Sequence, residues 1–317
     1  MDTDIEDKLI SEGWRICPTC DGGNGDGSMY SRVMPNPCLD CDGTGIMIEK
    51  TDLNNIGLMI HFRRDVDDRF RNLEMVVKFY RENSENLQIA ILNDDKELDK
   101  DFKRLCKQYD CKGLFMDNSD VYWRTKAFNE MSKILDVEYL IAGDTDVIVD
   151  PKFILEATQL FNKDTGIVYP YNGMFVHLKQ PMFEMFAVGQ ALLDLLNKSQ
   201  TLKPIPYDQD ENFLVAHPMS KGGMVMFSKK AFLDCNGYNP NFKGWGYEDD
   251  EILARFQKSG WGILRVGNKD AIAWHLPHEN TVREKHPYYE NNRKHSDFVC
   301  GNTWGQELEN YIKSWTL

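Results

Sequence analysis

The sequence predicts an α/β fold: a mostly parallel sheet covered by helices on both faces, preceded by a small zinc-binding module. Three observations predict it. From about residue 56 onward, short apolar runs alternate with amphipathic helical patterns. The apolar runs up to residue 142 carry almost no charge, as suits parallel strands buried on both faces. Residues 1–50 differ from the rest, being rich in Gly, Asp, Asn and Pro and carrying two Cys-x-x-Cys pairs. The expected division is therefore 1–50, a zinc-binding module, and 51–317, the α/β domain.

The first strand is expected over 57–62. A helix follows, in which Val66, Phe70, Leu73, Val76, Val77 and Tyr80 share one face. A second strand over 87–92 runs into Asn93-Asp94-Asp95. A helix over 97–108, a short strand over 113–116 and a helix over 121–135 lead to a strand over 139–142. Beyond Asp150 the pattern gives a helix near 152–161, a strand near 166–171 and a long apolar helix near 182–197. A loop over 199–220 follows. A strand over 223–227, a helix over 248–258 and strands near 262–266 and 271–275 complete the reading.

The length of 317 residues suits one large domain plus a module. No run of about 18 apolar residues occurs, so no membrane span is expected. The start, Met-Asp-Thr-Asp-Ile-Glu-Asp, is acidic and lacks the apolar stretch of a secretory signal. Cytoplasmic residence, in a bacterium or a phage-infected host cell, is the default expectation. The net charge of −13 repels nucleic acid at long range. A local basic groove would still be compatible with it, although Arg63-Arg64 and Arg69-Arg71 are only modest clusters.

Residues 1–50 have too few periodic apolar positions to fold unaided, so a staple is expected. Cys17-Pro-Thr-Cys20 and Cys38-Leu-Asp-Cys41 are two copies of one pattern, each followed by glycines. Four thiolates satisfy tetrahedral Zn²⁺. A redox dithiol would not explain the repeat. The second copy, Cys-x-x-Cys-x-Gly-x-Gly, resembles the zinc repeat of the DnaJ family, whereas the first has Gly22-Gly23 instead of alternating glycines. The resemblance implies a fold, not chaperone activity, and a site closed by four sulfurs leaves no position for substrate. Cys106, Cys111, Cys235 and Cys300 are dispersed and read as reduced thiols.

Asp144-Thr-Asp146 directly follows the strand over 139–142. Ligands of open α/β sheets bind beyond the carboxyl ends of the strands. Carboxylates there suit a hard divalent ion shared with a diphosphate. The bland alternative is a solvated turn capping the helix after Pro151. About a hundred residues later comes Gly244-Trp-Gly246-Tyr-Glu248-Asp249-Asp250-Glu251. Four acids opening a helix suit its positive end. Trp245 between two glycines has no such local reason. An aromatic on a flexible loop can face a sugar, and an adjacent carboxylate can take a hydroxyl proton. Crowded carboxylates also raise one another's proton affinity, which favours a base.

These segments resemble the beta-1,4-galactosyltransferase family and its bacterial relatives, including chondroitin-polymerase-like enzymes. The resemblance rests on Gly222-Gly223, Phe227-Ser228, Asn236-Gly237-Tyr238 and Gly244-Trp245-Gly246-Tyr247-Glu248-Asp249-Asp250. His61-Phe62-Arg63-Arg64 stands where that family has Pro-Phe-Arg-x-Arg, and Trp123-Arg124-Thr125-Lys126 where it has Asn-Arg-Ala-Lys. Asp144-Thr-Asp146 stands for Asp-Val-Asp, and Trp274-His275 where a metal-binding His follows. The similarity spans residues 57–300.

It implies a Rossmann-like GT-A fold, a nucleoside-diphosphate sugar donor that is usually UDP-linked, and Mn²⁺ or Mg²⁺. Carried onto this chain, Asp146 and His275 bind metal, with His278 competing for that place. Phe62, Arg63, Arg124, Asp144 and Gly223 line the nucleotide-sugar pocket. Trp245, Tyr247 and Glu248 hold the acceptor. Asp249, with Glu248 beside it, is the catalytic base of a single displacement with inversion. Two positions depart from the family pattern: Tyr247 replaces a glycine and His61 a proline. The acceptor is a glycan or a hydroxymethylated nucleobase of phage-type modified DNA, since a flipped base needs only a local groove. The rival reading is a non-catalytic sugar- or nucleic-acid-binding protein on a transferase scaffold.

Overall fold

The computed structural model describes residues 14–16, 46–48, 50–178, 213–216, 219–279 and 286–315. The chain divides into two compact units, Met1–Thr51 and Asp52–Leu317. In the first, Trp14–Ile16 and Ile46–Ile48 pair as an antiparallel ribbon. Cys17, Cys20, Cys38 and Cys41 lie outside the described residues, as does the helix expected over 182–197.

The large unit opens with β1 (Ile56–Phe62), α1 (Asp67–Asn83), β2 (Gln88–Asp95), α2 (Lys100–Gln108), β3 (Lys112–Asp117), α3 (Arg124–Ile134) and β4 (Tyr139–Gly143). β5 (Val147–Ile148), α4 (Pro151–Thr158), β6 (Thr165–Tyr169), β7 (Phe175–Leu178) and β8 (Phe213–Ala216) follow. Then come β9 (Met224–Ser228), α5 (Lys229–Asp234), α6 (Glu248–Lys258), β10 (Gly262–Arg265), β11 (Ala273–His275), α7 (Tyr289–Cys300) and α8 (Gly305–Ile312).

Seven strands form the main sheet in the order β10-β6-β9-β4-β1-β2-β3. β9 alone runs antiparallel to its neighbours β6 and β4. The remaining pairs are parallel. The mostly parallel α/β sheet expected from the sequence is therefore present, with helices packed against it. Its inner strand β1 is buried along nearly its whole length, which is why it reads as a continuous apolar run. In α1, Phe70, Leu73, Val76, Val77 and Tyr80 are buried, as their helical spacing required. Each such side chain stabilises by about 1.5–3 kcal/mol before the entropy of ordering it is counted.

A second sheet has the order β8-β7-β11-β5. It revises the sequence reading, because β8 lies within the expected loop over 199–220. The two sheets meet at the acidic triplet. β4 ends at Gly143, Asp144-Thr145-Asp146 carry the chain across, and β5 starts the second sheet at Val147. The crossing is pinned on both sides. Asp144 N–H donates to the Gly223 carbonyl (2.9 Å), and Leu276 N–H donates to the Asp146 carbonyl (2.7 Å). The helices α5, α7 and α8 had no counterpart in the sequence reading. Among the described residues, no helix is long and apolar enough to cross a membrane.

Candidate active site

A cleft of about 1420 Å³ opens where the two sheets meet. Its lining brings together Arg63, Arg124, Asp144, Asp146, Gly223, Trp245, Tyr247, Glu248, Asp249 and His275, all singled out in the sequence. Phe62 is the exception. It is fully buried, with its ring about 6 Å from those of Phe70 and Phe102, and does not line the cleft. Strand alternation explains the correction: consecutive residues point to opposite faces, so His61 faces the cleft and Phe62 the core.

His61 is held from behind. Its Nε2 lies 2.9 Å from Asp94 Oδ2. Asp94 is fully buried and also accepts from Asn118 Nδ2 (2.7 Å) and Trp123 N–H (2.6 Å). Burial alone would push the Asp94 carboxyl up, but these donors together outweigh it and hold the group below its ordinary value. Of the two adjacent arginines, Arg64 is committed to Asp99 (2.9 Å) and Asp101 (3.1 Å). Arg63 Nη1 is buried without a hydrogen-bond partner among the described residues. An anion in the cleft would satisfy it.

The four acids that open α6 separate into different roles. Glu251 forms a buried pair with Arg255, at 2.8 and 3.0 Å. Asp250 meets exposed Lys221 at 2.7 Å. Glu248 Oε1 lies 3.2 Å from Arg124 Nη1, and its Oε2 accepts from Gly246 N–H at 3.0 Å. Both Glu248 oxygens are thus engaged, which suits positioning better than proton transfer. Among the described residues, Asp249 is left without a matching cation of its own. Burial, Glu248, Asp144 and Asp250 push its carboxyl up to about 8, against the partial relief supplied by Arg124. The other side of Arg124 faces Asp144, with Nη2 2.8 Å from Oδ1. That contact is an ion pair by distance but lacks hydrogen-bond angles.

Asp146 is almost fully buried and faces two imidazoles. His275 Nε2 is 3.6 Å from its Oδ1, and His278 Nε2 is 3.3 Å from its Oδ2. Asp146, His275 and His278 offer ligand atoms within 4.8 Å of one another. A fit to a metal ion can be tested on His278. Its Nδ1 lies 2.8 Å from the Glu279 carbonyl oxygen, and with a single proton placed there the Nε2 lone pair is aimed at a carboxylate oxygen. That Nε2 has no hydrogen-bond partner among the described residues. Two lone pairs face each other, an arrangement that a cation between them resolves. One carboxylate and two imidazoles form a reasonable set for Mn²⁺ or a similar divalent ion. His278 and His275 thus stand together beside Asp146. His177, in β7, places its Nδ1 2.8 Å from His275 Nδ1, supporting that ring from behind.

Gly223 and Tyr247 show the backbone demands of the site. Gly223 has φ +84°, and a Cβ there would lie 2.4 Å from Phe175 Cε2. Tyr247 has φ 72°, the left-handed region, at the position where the family that these motifs resemble has glycine. Its hydroxyl lies 3.2 Å from that of Tyr289. Tyr289 also stacks beside Trp245, with centroids 6.3 Å apart and planes within 10°. His286 Nε2 lies 2.6 Å from the Trp245 carbonyl. Trp245 therefore belongs to an aromatic wall built partly by residues 286–289. The sequence reading missed these residues, although His286-Pro-Tyr-Tyr289 is an aromatic cluster visible in the chain.

A family model described as the N-terminal domain of galactosyltransferase matches residues 215–279. The chain thus carries a galactosyltransferase-type segment that includes Gly223, Trp245, Glu248, Asp249, His275 and His278. Over 44 residues it is 41% identical to human beta-1,4-galactosyltransferase 7, covering 14% of each chain. Over 44 residues it is 46% identical to mouse beta-1,4-galactosyltransferase 1, covering 14% of this chain and 11% of that one. The matched stretch is thus a small part of the length of these relatives. Among solved structures, the catalytic domain of Drosophila beta-1,4-galactosyltransferase 7 with xylobiose aligns at TM-score 0.45 and 17% identity, covering 82% of this chain and 84% of that one. A mannosyltransferase from Pyrobaculum calidifontis, in complex with GDP-mannose and Mn²⁺, aligns at TM-score 0.46 and 9% identity, covering 82% and 68%.

Proposed function

We propose that this chain is a metal-dependent, inverting glycosyltransferase that moves a sugar from a UDP-linked donor to a hydroxyl of a glycan acceptor. The observation that carries the reading is the content of one cleft: a carboxylate–imidazole set at Asp146, and a half-buried Asp249 whose carboxyl is pushed up to about 8. The galactosyltransferase-type segment over 215–279 supports it.

Asp146, His275 and His278 would hold the divalent ion, which supplies charge neutralisation at the donor diphosphate. Arg63, with its partnerless Nη1, suits the nucleotide end of the donor. Arg124 holds Asp144 and Glu248 in place and partly relieves the charge they set against Asp249. The acceptor sugar packs against Trp245 and Tyr289, which present apolar faces to its C–H groups. Ionised Asp249 takes the proton of the acceptor hydroxyl. The oxygen attacks the anomeric carbon, its new C–O bond forms as the bond to the diphosphate breaks, and the electron pair leaves with the diphosphate. A general base of this kind contributes about 10²–10⁴-fold.

A glycan fits better than DNA. Asp65, Asp120, Asp144, Asp146, Glu248, Asp249 and Asp250 all line the cleft, and they repel a phosphate backbone. The test is UDP release from a panel of UDP-sugars with Mn²⁺, with and without glycan acceptors. Release that acceptors accelerate and EDTA abolishes is expected. A protein that binds the sugars yet releases no UDP from any of them would be a binding module instead.

A further inference from the structure

Arg69 lines the cleft and has no role in the reading above. Arg69, on the first turn of α1, places Nη1 2.5 Å from Asp146 Oδ2. Its Nε lies 3.7 Å from Asp65 Oδ1. The Arg69 side chain keeps about a fifth of its surface exposed. Asp146 Oδ2 is also the oxygen that faces His278 Nε2 at 3.3 Å. Any divalent ion shared by that oxygen and His278 must take over the contact that Arg69 makes.

Building on the metal-dependent reading, we propose that Arg69 is a switchable counter-ion: it pairs with Asp146 before the metal arrives, then transfers to the diphosphate of the donor. Three features of the geometry support it. First, Asp146 is nearly fully buried, so an unpaired carboxylate there would be costly and Arg69 relieves it. Second, a side chain released from Oδ2 keeps only the distant Asp65 contact, and its fork suits phosphate oxygens. Third, the diphosphate must lie beside the metal ligands, where the guanidinium already sits. The exchange makes metal and nucleotide binding mutually reinforcing: nucleotide removes the competitor of the metal, and metal frees the ligand of the nucleotide.

The test is Mn²⁺ titration of the full chain, followed by electron paramagnetic resonance, alone and with UDP, for wild type, R69A and R69K. Removing a charge-assisted contact to a metal ligand should tighten Mn²⁺ binding in R69A by roughly tenfold. The same variant should bind UDP, in the presence of saturating Mn²⁺, roughly tenfold more weakly. R69K keeps the charge without the fork and should fall between wild type and R69A in both measurements. Opposite signs for metal and nucleotide are the signature, because a merely structural arginine would weaken both. Weaker Mn²⁺ binding in R69A, with Asp146-dependent binding intact in wild type, would overturn the exchange alone. Absence of Asp146-dependent Mn²⁺ binding in wild type would overturn the metal reading and the exchange with it.

Discussion

Arg124 and Glu248 meet at 3.2 Å across the cleft, although 124 residues separate them in the chain. The guanidinium is largely buried, and Asp144, Asp249 and Glu248 all favour its charge. Breaking a buried pair strands the partner left behind, at a cost of about 3–5 kcal/mol. R124M should therefore lower the denaturation midpoint clearly. It should also push the Asp249 carboxyl higher still, because Arg124 is the cation that relieves it. Chemical denaturation and a pH–rate profile check the two effects. An unchanged rising limb would mean that Arg124 does not tune Asp249.

Asp249 itself predicts a pH dependence. The base works ionised and its carboxyl is pushed up to about 8, so kcat should rise with pH and level off above that value. The sign for stability is opposite. The folded state keeps a proton that the unfolded state loses near the ordinary carboxyl value of 3.8. Folding then takes up a proton, and the contribution of this group to stability falls as pH rises from about 4 to about 8. D249N removes the penalty. It should lower turnover by about 10²–10⁴-fold while unfolding at a higher temperature than wild type at pH 9. A loss of both activity and stability at that pH would contradict the assignment.

The metal set makes a separate prediction. D146N and H278Q should each weaken Mn²⁺ binding by at least about tenfold, and H177A by a smaller factor, because it acts through the His275 ring. Calorimetric titration with Mn²⁺ distinguishes these outcomes without any substrate. If H278Q bound Mn²⁺ as wild type does, the ligand set would reduce to Asp146 and His275.

How much of this was legible follows from where each signal lies. The strands β1, β2 and β4 sit in the middle of the main sheet, so burial on both faces wrote them as apolar runs. The second sheet left less trace: β11 lies within the strand expected near 271–275, but β5 has only two residues, too short to establish a period, and β8 falls in the expected loop. Asp146 and Asp249 were readable because each sits in a motif whose residue types are tied to chemistry. Arg69, His177 and Tyr289 were not, because the contacts that place them at the site are with partners distant in sequence. Phe62 was misplaced because a motif names consecutive residues, while a strand sends them to opposite faces.

Gly223 was legible as a motif glycine, and the structure supplies the reason. G223A would place a methyl within 2.4 Å of the Phe175 ring on a backbone at φ +84°. Strain and overpacking together should cost more than about 2 kcal/mol. The Gly223 carbonyl also accepts from Asp144 N–H, so a shift there moves the acidic triplet. Mn²⁺ affinity should therefore fall along with the urea midpoint. A destabilised variant with unaltered Mn²⁺ affinity would separate the two effects and remove Gly223 from the site.

Tyr247 poses the reverse problem, a bulky residue held where glycine is at ease. Its left-handed backbone costs about 1–2 kcal/mol. Against this stand the contact of its hydroxyl with Tyr289 and the ring pair at 5.2 Å. Y247G relieves the strain and loses the contact, so the net change in stability should stay within about 1 kcal/mol. The kinetic effect should be lopsided. Tyr289 loses the partner that holds it beside Trp245, so the KM for acceptor should rise several-fold more than the KM for donor. Initial rates measured against each substrate in turn decide it. A rise confined to the donor would place Tyr247 on the nucleotide side of the cleft, and the aromatic wall would no longer be the acceptor platform.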